Sequence, residues 1–361
     1  MATAYLHIGS HKTGTSALQS FIGRHRDWLG EHGLYVPKSG QVTNGAHHQL
    51  ARALSGLPAP PVFSTIADQF SQEMQTCGGQ DLLISSESFS MLLRSHEVLD
   101  TIVRNFSVLG YSITIIYYLR NMPQYYNSAY AQKAKAVRQR LSFQDEINYR
   151  ISQQQKAAPL PVFLVDPRLE KIVRPYNSNV RRTGIVTSIM NDLGLPPPPK
   201  ARAAKINKSP GPVTVDLGRW LTRQLHDENI ELTPLQQQAC VKAVLELADQ
   251  HEEAEVRYVG LTTETARMIE VALQEKCEKI AEIIWGSTWE SRFPGELDRE
   301  YDCNDLELVD ARHVELDNLR AELFMRVEEI RNDEVLSRAP PAPPTIANLL
   351  RGDVPDNNSS S

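Results

Sequence analysis

Two hydrophobic patterns alternate along the N-terminal half of the chain. Residues 4–8 form a short apolar run that leads straight into a glycine, the pattern of a strand buried on both faces. Leu18, Phe21, Ile22, His25 and Leu29 then recur at helical spacing and predict one helix over 15–31, with Gly33 at its C-cap. Residues 34–37 read as a short strand, and 38–64, rich in Gly, Pro, Ser and His, as a long loop broken by a helix near 48–54. A strand is predicted at 81–86 and a helix at 98–109. The clearest strand is 112–119, continuous, β-branched and aromatic. Pro123 then sits in the first turn of a helix reaching about residue 138. Segments 163–165 and 171–175 read as extended, and 184–194 as a helix closed by Gly194 and the prolines after it. Beyond residue 212 only helices are predicted, over 213–227, 234–258, 261–285 and 311–333.

Strands alternating with helices imply a parallel sheet covered on both faces. The expected fold is therefore an α/β three-layer sandwich with a helical C-terminal addition. The expected division is a core at 1–225, a helical region packing on it at 226–335, and a Pro-, Asn- and Ser-rich tail at 336–361, disordered for the most part. A length of 361 residues suits two units or one large α/β unit with additions. With 41% apolar and 23% charged residues, the chain can bury a sizeable core.

Composition also narrows the function. No run approaches the roughly 18 apolar residues of a membrane span, and the start lacks the basic segment and long apolar core of a secretory signal. Cys77, Cys240, Cys277 and Cys303 lie far apart without a C-x-x-C pair, which argues against a zinc site or a disulfide framework. A reducing, cytoplasmic location is the expectation. The net charge of −6 is unevenly spread. Residues 1–208 carry 23 basic and 13 acidic side chains, a net of +10, and residues 209–361 carry 15 and 31, a net of −16. The acidic half reads equally well as solvated helix faces. The basic half predicts a local polyanion site, not a chain-wide nucleic-acid surface.

The most informative segment is Gly9-Ser10-His11-Lys12-Thr13-Gly14-Thr15-Ser16, between the first strand and the first helix. Glycines let the backbone turn tightly against an anion, and the free amides and dipole of the helix start bind phosphate oxygens. Lys12 adds a mobile charge, and Thr13, Thr15 and Ser16 add hydroxyls. The glycines keep the G-x-x-x-x-G spacing of a Walker A loop, but Thr15 stands where the lysine belongs. The second strand ends Ser85-Ser86-Glu87, without an obvious aspartate for magnesium. These departures point away from ordinary ATP hydrolysis.

A second anion site is suggested at the end of the strongest strand, where Arg120 is followed eight residues later by Ser128. That edge of a parallel sheet is where ligands bind, and an arginine grips an anion in a bidentate, charge-assisted way. Taken together, the two segments resemble the PAPS-dependent sulfotransferases, in particular bacterial proteins that open on a strand, an "HIGxHKTGTS" turn and a helix. His7-Ile8-Gly9-Ser10-His11-Lys12-Thr13-Gly14-Thr15-Ser16 is similar to their 5′-phosphosulfate loop, and Arg120 with Ser128 to their 3′-phosphate motif. Weaker similarity covers Ile84–Phe89, Val173-Arg174-Pro175-Tyr176, Asp192-Leu193-Gly194-Leu195 and Asn207-Lys208-Ser209-Pro210, so that the resemblance spans about residues 1–225.

The resemblance implies a P-loop-like core and transfer of a sulfuryl group from 3′-phosphoadenosine 5′-phosphosulfate (PAPS) to an acceptor hydroxyl or amine, leaving the bisphosphate (PAP), with no metal. Gly9, His11, Lys12, Thr13, Gly14, Thr15, Ser16, Arg120, Ser128, Asn207 and Ser209 would bind the donor, and Lys12 would stabilise the leaving group. In-line transfer also needs a base. Glu87, just past a strand end, and His47 or His48, in the Gly-rich loop, are the candidates, with His48 preferred of the two histidines. Lys133, Lys135, Arg138 and Arg140 read as a solvated helix face or as a lure for anions. A glycan, a lipid-linked acceptor or a small alcohol fits equally, and the oligomeric state is open. A P-loop kinase or other phosphotransferase, and a non-catalytic nucleotide-binding protein, are the alternatives.

Overall fold

Five strands form one sheet: β1 (Ala2–His7), β2 (Leu34–Tyr35), β3 (Asp81–Ser85), β4 (Tyr111–Leu119) and β5 (Glu170–Pro175). They pair in the order β2-β3-β1-β4-β5, every neighbour parallel. The computed structural model describes residues 1–9, 13–154, 160–199, 209–251, 256–296, 299–308 and 313–337. His11, Lys12, Asn207 and the C-terminal tail from 338 lie outside these.

Because parallel strands need crossovers, helices fill every connection. α1 (Thr15–Arg24) and α2 (Arg26–Glu31) precede β2, and α3 (His48–Ala53) and α4 (Val62–Thr76) precede β3. α5 (Ser88–Leu92) and α6 (His96–Val108) lead to β4; α7 (Met122–Lys135), α8 (Phe143–Gln154) and α9 (Val162–Val165) lead to β5. Then follow α10 (Ser178–Thr183), α11 (Ile185–Asp192), α12 (Pro212–Asp227), α13 (Pro234–Asp249), α14 (Thr263–Trp285), α15 (Trp289–Arg292), α16 (His313–Asn332) and α17 (Glu334–Ser337).

The strand period of two divides the core. Leu82, Ile84, Ile115 and Tyr117 face a cluster built with Leu50, Phe70, Phe106, Tyr130 and Phe163. Leu83, Ile116 and Tyr118 face the other layer, with Leu18, Phe21, Ile189 and Met190. The helices past residue 212 serve two cores. Leu217, Leu221, Val244, Leu247, Leu323 and Val327 of α12, α13 and α16 make a separate cluster. α14 instead returns to the sheet, placing Ile269, Leu273, Cys277 and Ile280 in the first core.

Several local expectations change. The helix expected over 15–31 is broken at His25, whose φ of −116° and ψ of 32° leave the helical region and whose ring stacks on Phe21 at 4.7 Å. The segment 163–165 is a helical turn, not extended, and the helix expected over 234–258 stops at Asp249. α4 occupies the end of what reads as the long loop, because Ile66, Phe70 and Met74 bury one helical face. All four cysteines are free, and among the described residues no helix is long and apolar enough to cross a membrane.

Candidate functional site

The chemistry gathers where the strands end. His7 of β1 lies level with Ser85 of β3 and Ile116 of β4, and β4 continues three residues further to Leu119. Beyond β1 the chain turns at Gly9 and enters α1 through Gly14, whose φ of +82° is left-handed and suits glycine. A Cβ on Gly9 would meet Thr15 Oγ1 at 2.6 Å, and one on Gly14 would meet Ile185 Cγ2 at 2.8 Å, so both glycines permit close approach. Thr13 and Thr15 are buried, whereas Ser16 is exposed. Thr15 Oγ1 has no hydrogen-bond partner among the described residues.

Beside this turn lies a polar cluster. His7 is fully buried, with Nδ1 2.9 Å from Ser85 Oγ and Nε2 without a partner among the described residues. A Cβ on Gly9 would lie 3.1 Å from His7 Cε1, so the imidazole underlies the turn. His47 is locked: its Nδ1 accepts from the Ser85 amide at 3.3 Å, and its Nε2–H donates to the Pro37 carbonyl at 2.9 Å. His48 is half-buried, with Nδ1 3.0 Å from Ser86 Oγ and 3.4 Å from Ser88 Oγ. Glu87 stands at the N-cap position of α5 without a side-chain capping bond, and its charge acts on both His7 and His48. Burial lowers the His48 pKa and the Glu87 carboxylate partly offsets it, so the imidazole is neutral at pH 7 and able to accept a proton.

Burial pushes His7 and His47 down to about 4 from an ordinary 6.5, with the Arg26 charge lowering His47 further. Folding therefore favours their neutral forms. Their contribution is complete above pH 6.5 and is lost as the pH falls toward 4, on the order of 3 kcal/mol for each. Urea unfolding followed from pH 7 to pH 4 is expected to lose stability steeply within that window. A flat profile there would contradict the neutral assignments.

The second cluster sits at the end of β4. Arg120 and Ser128 are each 5% exposed, and the Arg120 Nη1–H donates to Ser128 Oγ at 2.8 Å. Asn121 caps α7 and Pro123 occupies its first turn, which turns Ser128 back toward the strand end. Arg257, exposed in the loop after α13, brings Nη2 to 3.5 Å from the same Ser128 hydroxyl. The Tyr176 ring lies 5.9 Å from the Arg120 guanidinium. Burial, reinforced by the charges of Arg257 and Arg181, pushes Arg120 down to about 10, so it stays charged near neutrality. Like charges held together in this way form a site that an anion stabilises. Ser209 joins Ser128 and Arg257 around a recess of 10 Å³, about the size of one water, so a phosphate would have to part these side chains.

The Arg257 segment is held firmly. Asn127 accepts from the Gly260 amide at 2.7 Å and donates to the Tyr258 carbonyl at 3.2 Å. Tyr258 Oη donates to Asp305 at 2.7 Å, and Asp305 is paired with Arg219 at 2.9 Å, both charges buried. Asp192 and Arg174, 2.8 Å apart, tie α11 to β5 and stand in the scaffold. Lys133 pairs with Glu146 of α8 at 3.0 Å.

Two features of this region escape sequence reading. Arg257 lies where a helix is expected, in the acidic half, and its only signal is an isolated positive charge. His7 opens the glycine-turn motif, but its full burial and its bond to Ser85 carry no local signal.

No protein-family model matches the chain, and no curated protein matches it. A solved structure, the sulfotransferase from Alicyclobacillus acidocaldarius, aligns over 64% of this chain and 98% of its own, at 14% identity and a TM-score of 0.34.

Proposed function

We propose that the chain transfers a sulfuryl group from PAPS to a hydroxyl or amine of an acceptor. The observation that carries this reading is the convergence of Arg120 and Arg257 on the Ser128 hydroxyl, at the end of the strand beside the glycine turn. Neighbouring strands lie about 5 Å apart, so the turn and the arginine cluster fall within the span of one small bisphosphate nucleotide. The two arginines and Ser128 would hold the 3′-phosphate. The amides of residues 13–16 at the start of α1, with Lys12, would receive the 5′-phosphosulfate.

The residues divide the work in one in-line step. His48, or Glu87 beside it, takes the proton of the acceptor as its oxygen or nitrogen bonds to sulfur. The bond from sulfur to the 5′-phosphate oxygen breaks at the same time, and the electron pair leaves with the bisphosphate. Lys12 and the helix amides stabilise that developing charge. Thr15 Oγ1, buried under Gly9, adds a further donor.

With sulfur-labelled PAPS and a panel of polyols and amines, label is expected to move to an acceptor as the bisphosphate is released. Lys12→Ala is expected to slow this about 100-fold. Lys12→Ala with unchanged turnover, or phosphate transfer from magnesium ATP in place of sulfuryl transfer, would overturn the reading.

A further inference from the structure

β2 pairs with β3 through Leu34 with Asp81 and Tyr35 with Leu82. Ser85 lies three residues past that stretch, and its backbone groups on the β2 side need other partners. His47 supplies both. Its amide donates to the Ser85 carbonyl at 2.8 Å, and its Nδ1 accepts from the Ser85 amide at 3.3 Å. Because Nδ1 accepts, Nε2 carries the proton, and it donates to the Pro37 carbonyl at 2.9 Å. One fully buried residue thus takes the place of a strand neighbour. The carbonyl at the far end of the ring is fixed as well. Glu73 of α4 accepts from the amides of Lys38 and Ser39 at 2.7 and 2.9 Å. It also accepts from the hydroxyls of Ser39 and Tyr35 at 2.6 and 2.8 Å, so the chain is held on both sides of Pro37.

This grip bears on the next residue. α3 begins at His48, and the Ala51 amide bonds the His47 carbonyl at 3.0 Å, so the helix hangs from His47. His48 then meets the residue after Ser85, with Nδ1 3.0 Å from Ser86 Oγ. The Ser86 amide donates to the His7 carbonyl at 3.0 Å, on the strand that runs into the glycine turn. Residues 47 and 48 therefore dock on residues 85 and 86 one for one. The other nitrogen of the half-buried His48 ring, Nε2, has no hydrogen bond among the described residues.

We infer that His47 is the positioning residue for His48. By standing in for a strand neighbour of Ser85, it sets the His48 imidazole against Ser86 and leaves Nε2 free to take a proton. The inference rests on the sulfuryl-transfer reading for what His48 does, and on these contacts for how His48 is held. A histidine that merely filled the core would be replaceable by any apolar ring of its size. A positioning histidine needs the acceptor at Nδ1, because that bond ties it to Ser85.

The first measurement needs no acceptor. The His48 imidazole, assigned by its absence from His48→Gln, is titrated by NMR in the full chain. In the wild type it is expected to titrate below the ordinary 6.5, since burial lowers it and Glu87, the charged group acting on it, offsets this in part. His47→Phe keeps a ring and removes both side-chain bonds, so His48 is expected to move up toward 6.5 as it leaves Ser86 for water. His47→Asn places an oxygen near the position of Nδ1 and is expected to recover most of the wild-type behaviour. His47→Gln restores the Pro37 bond alone and is expected to resemble His47→Phe; it decides the matter if His47→Phe does not fold. In transfer from PAPS to the best acceptor of the panel, His47→Phe is expected to lower kcat about 10- to 100-fold. The KM for PAPS is expected to stay unchanged, and His47→Asn to regain most of the rate. A wild-type His48 titration in folded His47→Phe or His47→Gln would overturn the inference, as would a loss of kcat that His47→Asn does not recover. A shifted titration in a chain that transfers no sulfuryl group would uphold the grip of His47 on His48 and overturn the sulfuryl-transfer reading instead.

Discussion

Replacing Arg120 with alanine is expected to weaken binding of 3′,5′-adenosine bisphosphate by about 2–5 kcal/mol, or roughly 30-fold to several thousandfold. The size follows from burial. Arg120 is 5% exposed and meets Ser128 Oγ at 2.8 Å, so a phosphate there is gripped away from water. Removing the guanidinium would leave that anion held by Ser128 and the exposed Arg257 alone. Arg120→Lys is expected to recover only part of the loss, because an ammonium cannot reproduce the planar fork. Arg257→Ala is expected to cost less, since its charge is screened by solvent. Calorimetric titration of the three variants checks the order. An Arg120→Ala protein that binds the bisphosphate as tightly as wild type would remove the 3′-phosphate from this cluster.

The second large effect concerns stability. Asp305→Ala is expected to destabilise the fold by about 3–5 kcal/mol, the usual cost of leaving one charge of a buried pair behind. Arg219 is 1% exposed and donates to Asp305 through both terminal nitrogens, at 2.9 and 3.1 Å. Tyr258 Oη loses its acceptor in the same substitution. Glu307, 3.1 Å from Arg219 Nε, and Asp216, 3.5 Å from Nη2, retain part of the compensation and set the upper bound. Asp305→Asn keeps a hydrogen-bond acceptor and is expected to cost less. Because Tyr258 follows Arg257 directly, Asp305→Ala is also expected to weaken bisphosphate binding, although Asp305 touches neither Arg120 nor Ser128. Urea unfolding at pH 7 measures the first effect, and a loss below about 1 kcal/mol would contradict it.

Much of this architecture is legible in the sequence where signals are local. The strand at 112–119 is continuous and β-branched, so it reads as buried on both faces, and it is β4, paired on both edges between β1 and β5. The glycine turn is legible because Gly9 and Gly14 bracket hydroxyl residues between a strand and a helix. The pair Arg120 and Ser128 is legible as a spacing, since two helical turns bring the hydroxyl back to the strand end.

What is not legible depends on distant contacts. Arg257 reaches Ser128 across 129 residues, and no periodicity marks it. α14 is amphipathic, but nothing local says that its apolar face joins the sheet core while α12, α13 and α16 build their own. The break at His25, whose ring stacks on Phe21, has no counterpart in the apolar spacing, which alone predicts a continuous helix. α4 carries a helical signal in Ile66, Phe70 and Met74, which the prolines at 58, 60 and 61 obscure. His47 and His48 are adjacent in sequence but differ in environment, one sealed between Pro37 and Ser85 and the other turned toward Ser86, Ser88 and Glu87.

Calorimetric binding of 3′,5′-adenosine bisphosphate to the wild-type chain, with and without magnesium and against ATP, tests the central claim most directly. Tight binding of the bisphosphate that is independent of magnesium and stronger than that of ATP is the predicted result. Preference for magnesium ATP would contradict it and return the glycine turn to phosphoryl chemistry, and binding of neither nucleotide would contradict the donor site altogether.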